Sequence, residues 1–128
     1  MKEVLKLIFL YGFGLFFILA GGNHFLSPDF YLPLIPPYFP FPHQINGISG
    51  AAEIVLGLGL WIKGFRKYAS WGIIILLLAF IPSHIYFIQV GSCIAGGLCV
   101  PLALGWIRLL LIHPILLFWA YWSGKQPN

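Results

Sequence analysis

Apolar side chains run along this chain in long stretches, and polar ones gather in the short breaks between them. Four stretches come close to or exceed the ~20 residues a helix needs to cross a hydrocarbon core: about 4–25, 45–62, 68–90 and 101–122. The pattern predicts an all-α fold, an integral membrane four-helix bundle, with residues 1–128 as a single domain. The first stretch follows Lys2 and Lys6 and ends in "LAGGN", much like a secretory leader. Its apolar run is longer than a leader's, so it is expected to be kept as a helix.

Composition points the same way. At 60% hydrophobic, 18% aromatic and 8% charged, the chain is too apolar for a water-soluble domain of its size, and the lipid bilayer is its expected partner. The distribution of charge adds an orientation. If the four spans alternate, Lys2, Lys6, Lys63, Arg66, Lys67 and Lys125 all fall on one side, and the opposite loops carry no Lys or Arg. Cytoplasmic loops collect such residues, so both termini are expected in the cytoplasm. The net charge of +4 is then a topology signal. Scattered lysines at helix ends make no nucleic-acid surface, and no nucleic-acid partner is expected.

Two loops are left on the exterior side. "SPDFYLPLIPPYFPFPH", residues 27–43, is dense in proline and aromatic rings and carries only Asp29 as a charge. Proline fixes φ and removes a donor, which excludes a regular helix, while the aromatics suit a membrane interface. The segment is expected to fold as a cap over the outer mouth of the bundle, either sealing helix ends or covering a ligand cavity. The second loop, "GSCIAGGLCVP", holds Cys93 and Cys99. In an oxidising compartment this pair is expected to form a disulfide, a staple rather than a redox centre, because the spacing lacks the C-x-x-C geometry. No metal site is expected from two cysteines without convergent histidines.

Candidate chemistry comes from the polar residues that interrupt the apolar runs. Counted at 1.5 Å per residue, Glu53 lies roughly 12 Å inward from the exterior start of its span, Arg108 roughly 10 Å and His84 roughly 9 Å. Asn23 and His24 close the first span near the same boundary. Charged groups inside a membrane are costly and usually pair, so Glu53 is expected to pair with Arg108 inside the bundle. Ser49, Glu53 and Gly57 recur at helical spacing with Gly50 beside them, a stripe that allows close helix approach. His113, five residues past Arg108 and about 140° around an α-helix, is expected outside the cluster. The candidate ligand-binding set is Asn23, His24, Glu53, His84 and Arg108. A buried Glu–Arg pair that only fixes helix register is the competing reading.

The segments "GGNHFLSPDFY", "PPYFP", "ISGAAEIVLGLGL", "IPSHIY" and "WIRLLL", in this order, resemble the DoxX-like family of small bacterial four-helix membrane proteins. The resemblance covers nearly the whole chain. It implies a bacterial cytoplasmic membrane location and, by analogy with members tied to quinone-linked oxidation, a redox-associated subunit that binds a quinone or similar amphipathic molecule beside a partner subunit. His84 and the Leu110 and Ile112 positions depart from the family pattern, which leaves the substrate open. Whether the chain is an enzyme, and whether it oligomerises, the sequence also leaves open. The alternative class is a non-enzymatic lipid or small-molecule binding or transport module.

Overall fold

Prolines set many of the helix boundaries in this chain. A proline has no N–H to donate, so it costs nothing in the first turn of a helix and interrupts one further along. The computed structural model describes residues 1–127, so of the expected 1–128 domain only Asn128 lies outside the described residues. Helix α1 is Lys2–Leu26, a one-turn α2 is Pro28–Tyr31, and a 3-10 turn follows at Leu32–Leu34. Helix α3 is Pro42–Trp61; a 3-10 turn at Lys63–Phe65 then leads into α4, Arg66–Ala79. Helix α5 is Ile81–Gln89, and α6, Leu102–Ile107, passes through a π-turn at Arg108–Ile112 into α7, His113–Gly124.

The fold is all-helical among the described residues, apart from an isolated bridge between Cys93 and Cys99. Three stretches, Lys2–Leu26, Lys63–Gln89 and Leu102–Gly124, are long and apolar enough to cross a membrane. Where the pattern predicts four such spans, α3 does not qualify. Its boundaries also move from 45–62 to Pro42–Trp61, because Pro42 occupies the first turn, and this brings His43 and Gln44 into the helix and lowers its hydropathy. The predicted 68–90 span is two helices, broken at Phe80 just before Pro82. The proline-rich segment, expected to hold no regular helix, forms α2 with Pro28 in its first turn.

Helices α1 and α3 meet through glycines spaced two turns apart, Gly14 and Gly21 on one and Gly50 and Gly57 on the other. A Cβ on Gly50 would lie 2.7 Å from His24 Cβ, and one on Gly57 2.7 Å from the Gly14 carbonyl oxygen. The backbones therefore touch, which places α1 side chains directly against α3. Towards the lysine-rich end the interior is solid, filled by Phe13, Phe17, Leu60, Ile73 and Leu77, with Phe13 stacked on Trp119 at 4.5 Å between ring centroids. At that end Arg66 is buried and donates to the Leu60 and Pro127 carbonyls, so its positive charge also ties off α3.

The opposite half is hollow. The proline-rich segment leans over it: Leu34 is buried, and its carbonyl accepts a 2.6 Å hydrogen bond from Ser83 Oγ on α5. Cys93 and Cys99 are joined in a disulfide that closes the loop between α5 and α6. The outer surface carries many exposed large apolar side chains, among them Leu19, Ile48, Val55, Ile75 and Phe118.

Candidate functional site

His24 is the best-held side chain of the hollow half. It sits in the last turn of α1, where the glycine contact brings it against α3. Its Nδ1 lies 2.7 Å from Asn46 Oδ1, and Asn46 Nδ2 donates back to the His24 carbonyl at 3.0 Å. Its Nε2 lies 3.2 Å from Glu53 Oε2, within ion-pair distance. The Tyr31 ring stacks on the imidazole with 3.8 Å between centroids and 17° between planes. Tyr31 is itself held, because Asn23 Nδ2 donates to its hydroxyl at 2.8 Å. His24, Asn46 and Glu53 are all buried.

These groups form one wall of a chamber of about 400 Å³ between the helices and the proline-rich segment. His24, Asn46, Ser49 and Glu53 line it on one side, His84 and Arg108 on the other, and Phe30, Leu34, Phe39 and Phe80 supply much of its apolar wall. Thus four of the five candidate ligand-binding residues meet on one cavity. Asn23 does not line it and reaches it only through Tyr31.

The expected Glu53–Arg108 pair is absent. Glu53 is paired with His24, and Arg108 has no acidic partner among the described residues. Equal depth along two helices does not make their side chains neighbours: α3 packs on α1 and α4, whereas the π-turn that starts at Arg108 packs on α5. The Arg108 guanidinium lies 5.4 Å from the centroid of the Phe87 ring, and its Nη1 is buried without a hydrogen-bond partner.

The π-turn also changes the position of His113. The His113 N–H donates to the Arg108 carbonyl, a five-residue closure. The 140° offset assumed α-helical spacing, but a π-turn brings residues five apart onto one face. His113 is buried there with its ring 4.9 Å from that of His84 at 70°, and its Nε2 lacks a partner. It does not line the chamber; it backs the histidine that does.

Asn46 and Tyr31 join the candidate site although the sequence pattern did not single them out, and His113, expected outside the cluster, backs His84. Asn46 carried a readable signal, since it precedes Glu53 by two helical turns on the glycine-bearing stripe. Tyr31 carried none, for its stacking depends on how the proline segment folds back. Among the described residues no three His, Cys, Asp or Glu side chains gather to hold a metal ion. Any organic group in the chamber would meet His24 and Glu53 on one side and His84 and Arg108 on the other.

A family model described as a domain of unknown function, DUF8561, matches residues 13–123, a span that includes every residue lining the chamber. No curated protein and no solved structure matches the chain.

Proposed function

This chain belongs to the DUF8561 family, and we propose that it is a multi-pass membrane protein whose helices enclose a binding chamber for a small amphipathic molecule, a quinone or a similar ring-bearing compound. One observation carries this reading. The chamber of about 400 Å³ is mainly apolar, yet α1, α3, α5 and the π-turn each bring a polar group to it. A few convergent polar groups in an apolar cavity of a few hundred Å³ are what a small-molecule site requires, and helix packing alone does not.

In the proposed arrangement α1, α3, α4 with α5, and α6 with α7 make four membrane segments of a four-helix bundle in a bacterial cytoplasmic membrane. Both termini are cytoplasmic and the proline and cysteine loops exterior. The exposed apolar side chains and the collection of Lys2, Lys6, Lys63, Lys67 and Lys125 at one end support this. The shorter hydropathy of α3 is accommodated because its polar residues Asn46 and Glu53 turn to the chamber.

The resemblance to DoxX-like proteins supports a quinone as occupant and a redox-associated role beside a partner subunit. In that role His24 and Glu53, 3.2 Å apart, could pass a proton to or from the bound ring. Carriage of a lipid or small molecule without chemistry uses the same chamber. Purification in a mild detergent, solvent extraction and mass spectrometry test the reading. A single amphipathic compound near one per chain, lost in a His24→Ala variant that melting shows to be folded, supports it; no retained compound, or one unaffected by that change, overturns it. A redox-active ring selects the first role, and a compound without redox chemistry selects the second.

A further inference from the structure

The charge of the occupant can be worked out from the hydrogen bonds on the chamber wall, given the binding role just proposed. The Asn46 amide fixes the first step. The atom facing the His24 carbonyl at 3.0 Å must be the amide nitrogen, since a carbonyl only accepts. The other end of the amide is therefore oxygen, and His24 Nδ1, 2.7 Å from it, must carry a hydrogen. In a neutral imidazole with Nδ1 protonated, Nε2 is a bare lone pair. It faces Glu53 Oε2 at 3.2 Å, and two bare lone pairs would repel there. Glu53 Oε2 makes no aligned hydrogen bond, so the two groups meet as an ion-pair contact, and a proton on the imidazole or on the carboxyl removes the repulsion. The pair is then either imidazolium with carboxylate or imidazole with carboxylic acid, and both sum to zero charge.

Arg108 is left over. A guanidinium stays protonated in proteins, and this one lines the chamber with Nη1 buried and unpartnered. The Phe87 face attracts it but supplies no hydrogen-bond acceptor for Nη1. The chain has three Asp and Glu side chains. Glu53 is neutralised by His24, Glu3 is paired with Lys6 at 2.9 Å near the N-terminal end of α1, and Asp29 is exposed on α2. His84 and His113, packed together beside Arg108, add no negative charge. The chamber wall therefore carries one uncompensated positive charge among the described residues. A charge half withdrawn from water, with one nitrogen buried and unpartnered, is costly unless something pairs with it.

We infer that the chamber takes an amphipathic monoanion, with its carboxylate or phenolate oxygen against the Arg108 guanidinium and its apolar body among Phe30, Leu34, Phe39 and Phe80. Within the quinone-like class this favours a ring bearing an ionised hydroxyl or carboxyl over a neutral one. The His24–Glu53 pair, neutral as a unit, meets the occupant's remaining polar group without opposing its charge.

The test uses the full chain in phosphatidylcholine nanodiscs at near-neutral pH, with radiolabelled decanoate, decanol and decylamine as probes and empty nanodiscs as the partition blank. Decanoate is expected to bind saturably and on the order of tenfold or more tighter than decanol, the scale of a hydrogen bond to a charged group. Arg108→Met should bring decanoate down to the decanol level while decanol is unchanged, and Arg108→Lys should recover part of the difference. Acetate should not compete. Decanol binding as tightly as decanoate, or decylamine binding best, overturns the anion while leaving the binding chamber in place. Competition by acetate as effective as by decanoate overturns the amphipathic part. Saturable binding of none of the three probes overturns the chamber reading and the inference with it.

Discussion

At the scale of single residues the account turns on His24, which three groups hold at once: Asn46 at Nδ1, Glu53 at Nε2 and Tyr31 on the ring face. Replacing Asn46 by Leu strips a donor from the His24 carbonyl and an acceptor from its Nδ1, leaving buried polar groups unsatisfied. Thermal or denaturant melting should show a loss of about 1–3 kcal/mol. Glu53→Leu or His24→Phe alone leaves a buried partner uncompensated and is expected to cost about 3–5 kcal/mol, whereas the two together should restore much of the stability. Additive losses in that double-mutant cycle would mean that the two side chains do not interact. The sequence made Glu53, His84 and Arg108 legible because a polar group in an apolar run is conspicuous. It could not say which charge Glu53 meets, because depth follows from counting residues and neighbours follow from how the helices are arranged around the bundle.

Two elements do most to shape the chamber, the glycine seam between α1 and α3 and the π-turn. A methyl on Gly50 would sit 2.7 Å from His24 Cβ and 2.9 Å from the Gly21 carbonyl oxygen, so Gly50→Ala should separate the helices at a cost of about 1–3 kcal/mol and weaken binding. The control lies three residues away: a Cβ on Gly47 meets nothing within 4 Å, and Gly47→Ala should be neutral or stabilising by about 0.5–1 kcal/mol. Equal melting points for the two variants would contradict the seam. The π-turn accommodates one residue more than an α-helical turn. Deleting the exposed Leu110 should restore α-helical spacing, keep the helix and rotate Arg108 away from the face it shares with His113. The folded deletion variant should lose the preference for an anionic probe. Helical periodicity read from sequence assumes 3.6 residues per turn, and for that reason it gives no sign that His113 packs on His84, although His113 does lie outside the chamber lining as expected. The Ser49, Glu53 and Gly57 stripe, in a regular helix, was placed correctly.

For the whole molecule, hydropathy made the helical architecture legible. What it could not resolve were the interruptions, where Pro82 splits the third stretch and the polar start of α3 removes it from the set of membrane-length apolar helices. Reporter fusions in the Lys63 to Lys67 turn should report from the cytoplasm, and an exterior signal would reverse the proposed orientation. Serine at both Cys93 and Cys99 should lower stability by about 2 kcal/mol through the unfolded chain and leave occupancy intact, since neither cysteine lines the chamber. The central claim is that a pair of buried polar groups on α1 and α3 serves a ligand rather than helix packing. Native mass spectrometry of the parent and of the His24→Phe plus Glu53→Leu double variant, each checked by melting, addresses it most directly. The account predicts a parent that carries a small amphipathic molecule and a folded double variant that carries none. A folded double variant that keeps the same molecule at the parental level would contradict it and leave the pair a packing device.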